Sequence, residues 1–145
     1  MEKINKLKNK FKEYNLDGYL IPKNDEFFSE YTPSYKDTLK YITNFSGSYG
    51  LAIILKNKNY LLVDGRYTIQ AKQQSGKYFK IIKIPTDNLK KKLKIRNLKI
   101  GFNPKLFNKD VLKRLKKNLN CNLIPVLQTI HNHVTNNKKI KKKHF

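Results

Sequence analysis

Apolar residues near the N-terminus fall at Ile4, Leu7, Phe11 and Tyr14, spaced three, four and three apart, with lysines between them. That period gathers them on one face of a helix, predicted over residues 2–14. Asn15-Leu16-Asp17-Gly18 reads as a turn. Tyr19-Leu20-Ile21-Pro22 reads as a short strand that Pro22 must end or hold at an edge. Lys23 to Pro33 is polar and aromatic, has no period, and reads as a structured loop. Ser34 is placed to cap a helix, with Asp37 three residues on, and Tyr35, Leu39 and Ile42 give that helix an apolar face up to about Thr43.

The centre of the chain changes period. Leu51–Leu55 and Tyr60–Asp64 are two largely apolar runs joined by a short polar turn, the pattern of a buried β-hairpin. Neither run alternates strictly, so helices are expected on both faces of its sheet. A helix over 67–74 stopping at Ser75-Gly76 is predicted next, then a strand over 78–84 closed by Pro85. A helix over 88–95 follows, capped by Thr86 or Asp87, then a strand over 99–102 and a turn at Asn103-Pro104. Asn108 caps a further helix with Val111, Leu112, Leu115 and Leu119 on one face, and residues 122–126 are the last strand. Residues 128–134 have the makings of a short helix. From Asn136 a charge run without apolar period predicts a basic disordered tail over 136–145. The alternation predicts one α/β domain over residues 1–135, a mixed β-sheet of about six strands that includes an antiparallel hairpin and is flanked by helices.

Composition narrows the function classes. A chain of 145 residues is long enough for a core without cross-links. Its single cysteine, Cys121, excludes an internal disulfide and a multi-cysteine zinc site, and beside a strand it reads as a small buried hydrophobe. No apolar run approaches the roughly 20 residues of a membrane span. The N-terminus lacks the continuous apolar core of a signal peptide, so a cytoplasmic protein without membrane contact is expected. The formal net charge is +22, yet only Arg66, Arg96 and Arg114 are arginines. Sequence-specific readers of nucleic acid lean on arginine forks. The joint excess of Lys, Asn, Ile and Tyr reads instead as AT-rich codon usage on a solvated surface, with only nonspecific nucleic-acid binding at low salt.

Little of the catalytic repertoire is present. There is no GxGxxG and no P-loop; Gly47-Ser48-Tyr49-Gly50 leads into a strand, whereas a phosphate cradle leads into a helix, so it reads as a tight turn. Ser46 and Ser48 sit in no Gly-x-Ser-x-Gly elbow. His131 and His133 are two apart, which on a helix points them away from each other, and no third ligand stands nearby. Asp64 ends a buried strand beside Gly65-Arg66. It caps the next helix or pairs with Arg66 on a structural reading, and on a functional one faces the crevice that strand ends line in α/β sheets.

Several short motifs occur in one order: Asp17-Gly18-Tyr19-Leu20-Ile21-Pro22, Ser29-Glu30-Tyr31, Phe45-Ser46-Gly47-Ser48-Tyr49-Gly50, Asp64-Gly65-Arg66-Tyr67 with Gln70-Ala71, and Asn122-Leu123-Ile124-Pro125-Val126. Each is weak alone, but the ordered set closely resembles the creatinase/prolidase N-terminal domain of Xaa-Pro aminopeptidases, over roughly residues 3–135. The resemblance implies a mixed sheet flanked by helices. It also implies that catalysis, through a pair of divalent metals such as manganese, belongs to a second domain that this chain lacks. The chain itself would then carry no cofactor and be inactive alone. On this resemblance Arg66 contacts the peptide substrate, supported by Asp64, Gly65 and Tyr67, with Gly47 and Gly50 forming the turn. The implied partners are a second copy of the chain or a separately encoded catalytic half. The lysine-rich end does not resemble the family's linker and has the look of an out-of-frame ending. A stand-alone module binding proteins or polyanions is the competing reading.

Overall fold

The computed structural model describes residues 2–23, 38–86 and 89–126. The N-terminal periodicity produces helix α1, Glu2–Tyr14, with Ile4, Leu7 and Phe11 buried against the sheet. Asn15, in the left-handed region at φ 56°, ends it and turns the chain into β1, Gly18–Pro22. After α2, Thr38–Thr43, come β2, Leu51–Leu55, and β3, Asn59–Asp64. Helix α3, Thr68–Ser75, precedes β4, Lys80–Ile84, and α4, Leu89–Leu93, precedes β5, Lys99–Phe102. Helix α5, Lys109–Leu119, and β6, Asn122–Pro125, complete the series.

The strands form a six-stranded sheet in the order β4-β3-β2-β1-β5-β6. β2 pairs antiparallel with both β1 and β3, while β3–β4, β1–β5 and β5–β6 are parallel. Five strands therefore run one way and β2 alone runs against them. The expected mixed sheet with an antiparallel hairpin is what the chain forms. β1 is an interior strand, and Pro22 stands at its end, opposite Leu51.

Within the hairpin, successive side chains go to opposite faces. Ala52, Ile54, Leu61 and Val63 join one core with α1, α2 and Ala71 of α3. Leu51, Ile53, Leu55, Tyr60 and Leu62 join another with Leu93 of α4 and Leu119 of α5. Both faces are covered, which is why the runs are continuously apolar. Cys121 is a buried small hydrophobe, and burial pushes its thiol up to about 11.

The boundaries differ where turns intervene. The strand expected from Tyr78 begins at Lys80, because residues 76–78 complete the turn after α3, with Phe79 N–H bonded to the Ser75 carbonyl. The helix expected over 67–74 divides into a 3-10 turn, Gly65–Tyr67, and α3. Asn108 caps α5 as expected, accepting from Val111 N–H at 2.9 Å. The Ser34 cap, most of the 23–33 loop, the Asp87 cap, the 128–134 helix with His131 and His133, and the 136–145 tail lie outside the described residues.

Asn44, Asn97 and Asn120 also take positive φ, the role short polar side chains tolerate best. Lys94, at φ 55°, follows α4 without that tolerance. Lys94→Gly is expected to stabilise the fold by about 0.5–1 kcal/mol, the left-handed strain relieved less the entropy of glycine. A urea midpoint that stays put or falls would contradict this.

Candidate functional site

Because β2 alone is reversed, the carboxyl ends of the other five strands lie at one edge of the sheet, together with the entry to β2. Ligand crevices in open α/β sheets form at such edges. Pro22, Asp64, Ile84 and Phe102 all stand there, and so does the Gly47–Gly50 bend.

Asp64 is the last residue of β3. Its Oδ1 accepts from the Arg66 backbone N–H at 2.9 Å and from Arg66 Nε at 3.2 Å. Capping and pairing thus occur together. The Arg66 side chain is 75% exposed, lies 5.3 Å from the Tyr67 ring centroid, and has no partner at its two terminal nitrogens among the described residues. It is held at its base and open at its tip.

The backbone N–H of Arg66 is the main reason the Asp64 carboxyl titrates below the ordinary aspartate value, with the Arg66 side chain and Lys83 helping. A lowered folded pKa contributes stability above the unfolded value, lost as pH falls through the folded one. Since the backbone contact dominates, Arg66→Ala is expected to leave Asp64 still depressed, and Arg66→Pro to return it close to the ordinary range. Carboxyl-carbon NMR titration of the two variants checks this; equal midpoints would contradict it.

The bend preceding β2 is fastened from both sides. The ring of Phe45, fully buried, meets Tyr67 edge-on at 6.1 Å. Ser48 Oγ and Tyr67 OH are 2.5 Å apart. Ser46 N–H donates to Gln74 Oε1 at 3.0 Å, and Gln70 and Gln74 both donate to Ser46 Oγ. At the far end of α3, Ser75 Oγ donates to the Thr43 carbonyl at 2.6 Å, and Thr43 Oγ1 accepts from Phe45 N–H. Helix α3 and the bend thus form one clasp around Phe45 and Tyr67.

Gly47 and Gly50 have ordinary negative φ, so backbone conformation does not require glycine. Space does. A Cβ at Gly47 would come within 2.2 Å of the Phe45 ring, and one at Gly50 within 3.1 Å of it. At Gly65 the nearest atom would be the flexible end of Lys83.

On the α4–α5 face, this edge carries a groove of two neighbouring hollows, about 330 and 430 Å³. They share Tyr49, Leu51, Val111 and Leu115, and extend to Lys23 and Phe107 at one end and to Asp64, Arg114 and Asn118 at the other.

The sequence-predicted residues Gly47, Gly50, Asp64, Gly65, Arg66 and Tyr67 all gather at this edge. Sequence reasoning missed the work of Phe45, Ser46, Ser48, Gln70 and Gln74. Phe45, Ser46, Ser48 and Gln70 stood within its motifs, and their spacing carried no sign of contact. Among the described residues no three His, Cys, Asp or Glu side chains converge in a way that could hold a metal ion.

The model of the creatinase/prolidase N-terminal domain matches residues 3–132. A probable Xaa-Pro aminopeptidase P of Coprinopsis cinerea is 34% identical over 120 residues, covering 78% of this chain and 19% of the relative. Xaa-Pro aminopeptidase 1 of Dictyostelium discoideum is 33% identical over 122 residues, covering 79% of this chain and 19% of the relative. The chain therefore spans about a fifth of the length of these relatives. Among solved structures, X-prolyl aminopeptidase of Caenorhabditis elegans, described as a cytosolic enzyme with a di-nuclear active site, superimposes with a TM-score of 0.75 at 27% identity, over 91% of this chain and 25% of that one. The N-terminal domain of cytoplasmic peptidase PepQ from Mycobacterium tuberculosis shares the fold, with a TM-score of 0.67 at 22% identity, over 92% of this chain and 98% of that one.

Proposed function

This chain belongs to the creatinase/prolidase N-terminal domain family, and from that membership we propose that it serves as the peptide-positioning, non-catalytic part of an Xaa-Pro aminopeptidase. The observation that carries the reading is Arg66: clamped by Asp64 at its Nε, exposed at its tip, and set on the carboxyl edge of the sheet. A guanidinium is permanently charged and presents a rigid fork of donors, suited to a peptide carbonyl or carboxylate. The Phe45–Tyr67 clasp holds the backbone from which it projects. The metal pair and the groups acting on the bond before proline are supplied by a catalytic domain, with which this domain forms a composite site. Pairing of two such domains in a homodimer belongs to the same proposal. So does a cytoplasmic location, supported by the C. elegans relative described as cytosolic.

The isolated chain, incubated with manganese and an Xaa-Pro peptide, is expected to release no N-terminal residue. Metal-dependent release at a rate proportional to chain concentration would overturn the reading.

A further inference from the structure

The two cores are not equally closed. On the α1 face, Ile4, Leu7 and Phe11 are at most 2% exposed. On α5 the same kind of apolar stripe is buried only at Leu119, while Val111, Leu112 and Leu115 remain partly open. Val111 and Leu115 floor both hollows of the groove, and Tyr49 beside them is 55% exposed. The same helix carries Lys109, Lys113, Arg114, Lys116 and Lys117 against one acid, Asp110. Arg114 lines the groove and has no acidic partner among the described residues.

An apolar floor in two hollows asks for apolar anchors, and a basic flank asks for acids beside them. Nucleic acid satisfies the second demand but not the first, since phosphates gain nothing from Val111 and Leu115. We infer that the groove between the carboxyl edge of the sheet and α5 docks an acidic amphipathic helical segment of another protein, its apolar side chains in the two hollows and its carboxylates against Arg114 and the α5 lysines. This helix-in-groove recognition gives anchors at i, i+4 and i+7. Arg66 itself does not line the groove, whereas Asp64, which holds its base, does.

The test is fluorescence anisotropy with the full chain at about 150 mM salt, where weak surface attraction is screened. The probes are a labelled acidic helical peptide of about 14 residues with leucines at i, i+4 and i+7, a scrambled peptide of the same composition, and a DNA duplex of similar length. The ordered peptide is expected to bind at least tenfold more tightly than the scrambled one. Val111→Asp and Arg114→Glu should each weaken it about tenfold or more, roughly one lost charged or anchoring contact. Lys6→Glu on α1 should leave it unchanged. Tyr49→Ala, at an exposed position, provides a second loss of binding if Val111→Asp perturbs the far-UV dichroism spectrum. Absent binding, equal affinity for both peptides, or stronger binding of the duplex with Lys6→Glu as damaging as Arg114→Glu would overturn the assignment. Self-association of the chain abolished by Val111→Asp would make a second copy the occupant and overturn it too.

Discussion

Phe45→Ala is expected to cost about 3–5 kcal/mol of stability, the range for emptying a buried phenylalanine site. The ring is fully buried, packs edge-on against Tyr67, and fills the space that Gly47 and Gly50 leave open. Gly47→Ala is expected to cost about 1–3 kcal/mol by overpacking, because its Cβ would need the room the ring occupies. The two effects are not independent. Once the ring is gone, the three atoms nearest the added methyl are gone with it, and the methyl fills part of the cavity. The double variant should therefore be less destabilised than the sum of the singles by about 1 kcal/mol or more, beyond the few tenths expected for unrelated sites. Urea unfolding of the four proteins measures this. Strict additivity would mean that Gly47 is glycine for some reason other than Phe45.

That pair also marks how far the sequence could be read. Elements made by local repetition were legible: α1 from the Ile4-Leu7-Phe11 period, the hairpin from its two apolar runs, α5 from Asn108 and its stripe. The continuous apolarity of β2 and β3 even foretold the two cores. What escaped depends on contacts between residues far apart in the chain. Ser46 meets Gln74 across 28 positions, and nothing in the local pattern of either announces the other. Pro22 left β1 open to being an edge strand, yet it is interior, because proline at the strand's end does not stop its earlier residues from pairing with β5. Gly47 and Gly50 read as turn formers, and nothing in the local pattern announced that the Phe45 ring would also crowd a Cβ at Gly47. Helix α5 is as amphipathic as a fully packed helix, so sequence could not reveal that its stripe stays partly open. Asp64 was the most informative case. Both of its structural roles were anticipated, and both act on Arg66.

The second large effect expected is on catalysis rather than stability. Arg66→Ala should leave the fold intact, because the side chain is exposed and the Asp64 cap on the backbone N–H persists without it. In an assembled enzyme it should remove a charge-assisted hydrogen bond to the peptide, worth about 1.5–3 kcal/mol, or a fall of about ten- to a hundredfold in kcat/KM. The loss should fall mainly on KM, since a contact made equally in the ground and transition states changes binding and leaves turnover nearly untouched. Arg66→Lys should recover only part of it, because an ammonium keeps the charge without the fork.

The most direct measurement is kinetic, on a chimera in which residues 3–126 of this chain replace the corresponding domain of the C. elegans X-prolyl aminopeptidase, with an Xaa-Pro peptide as substrate. An active chimera is expected, whose Arg66→Ala variant unfolds at the same temperature and has a KM raised about tenfold or more. An Arg66→Ala chimera with unchanged kcat and KM would contradict it.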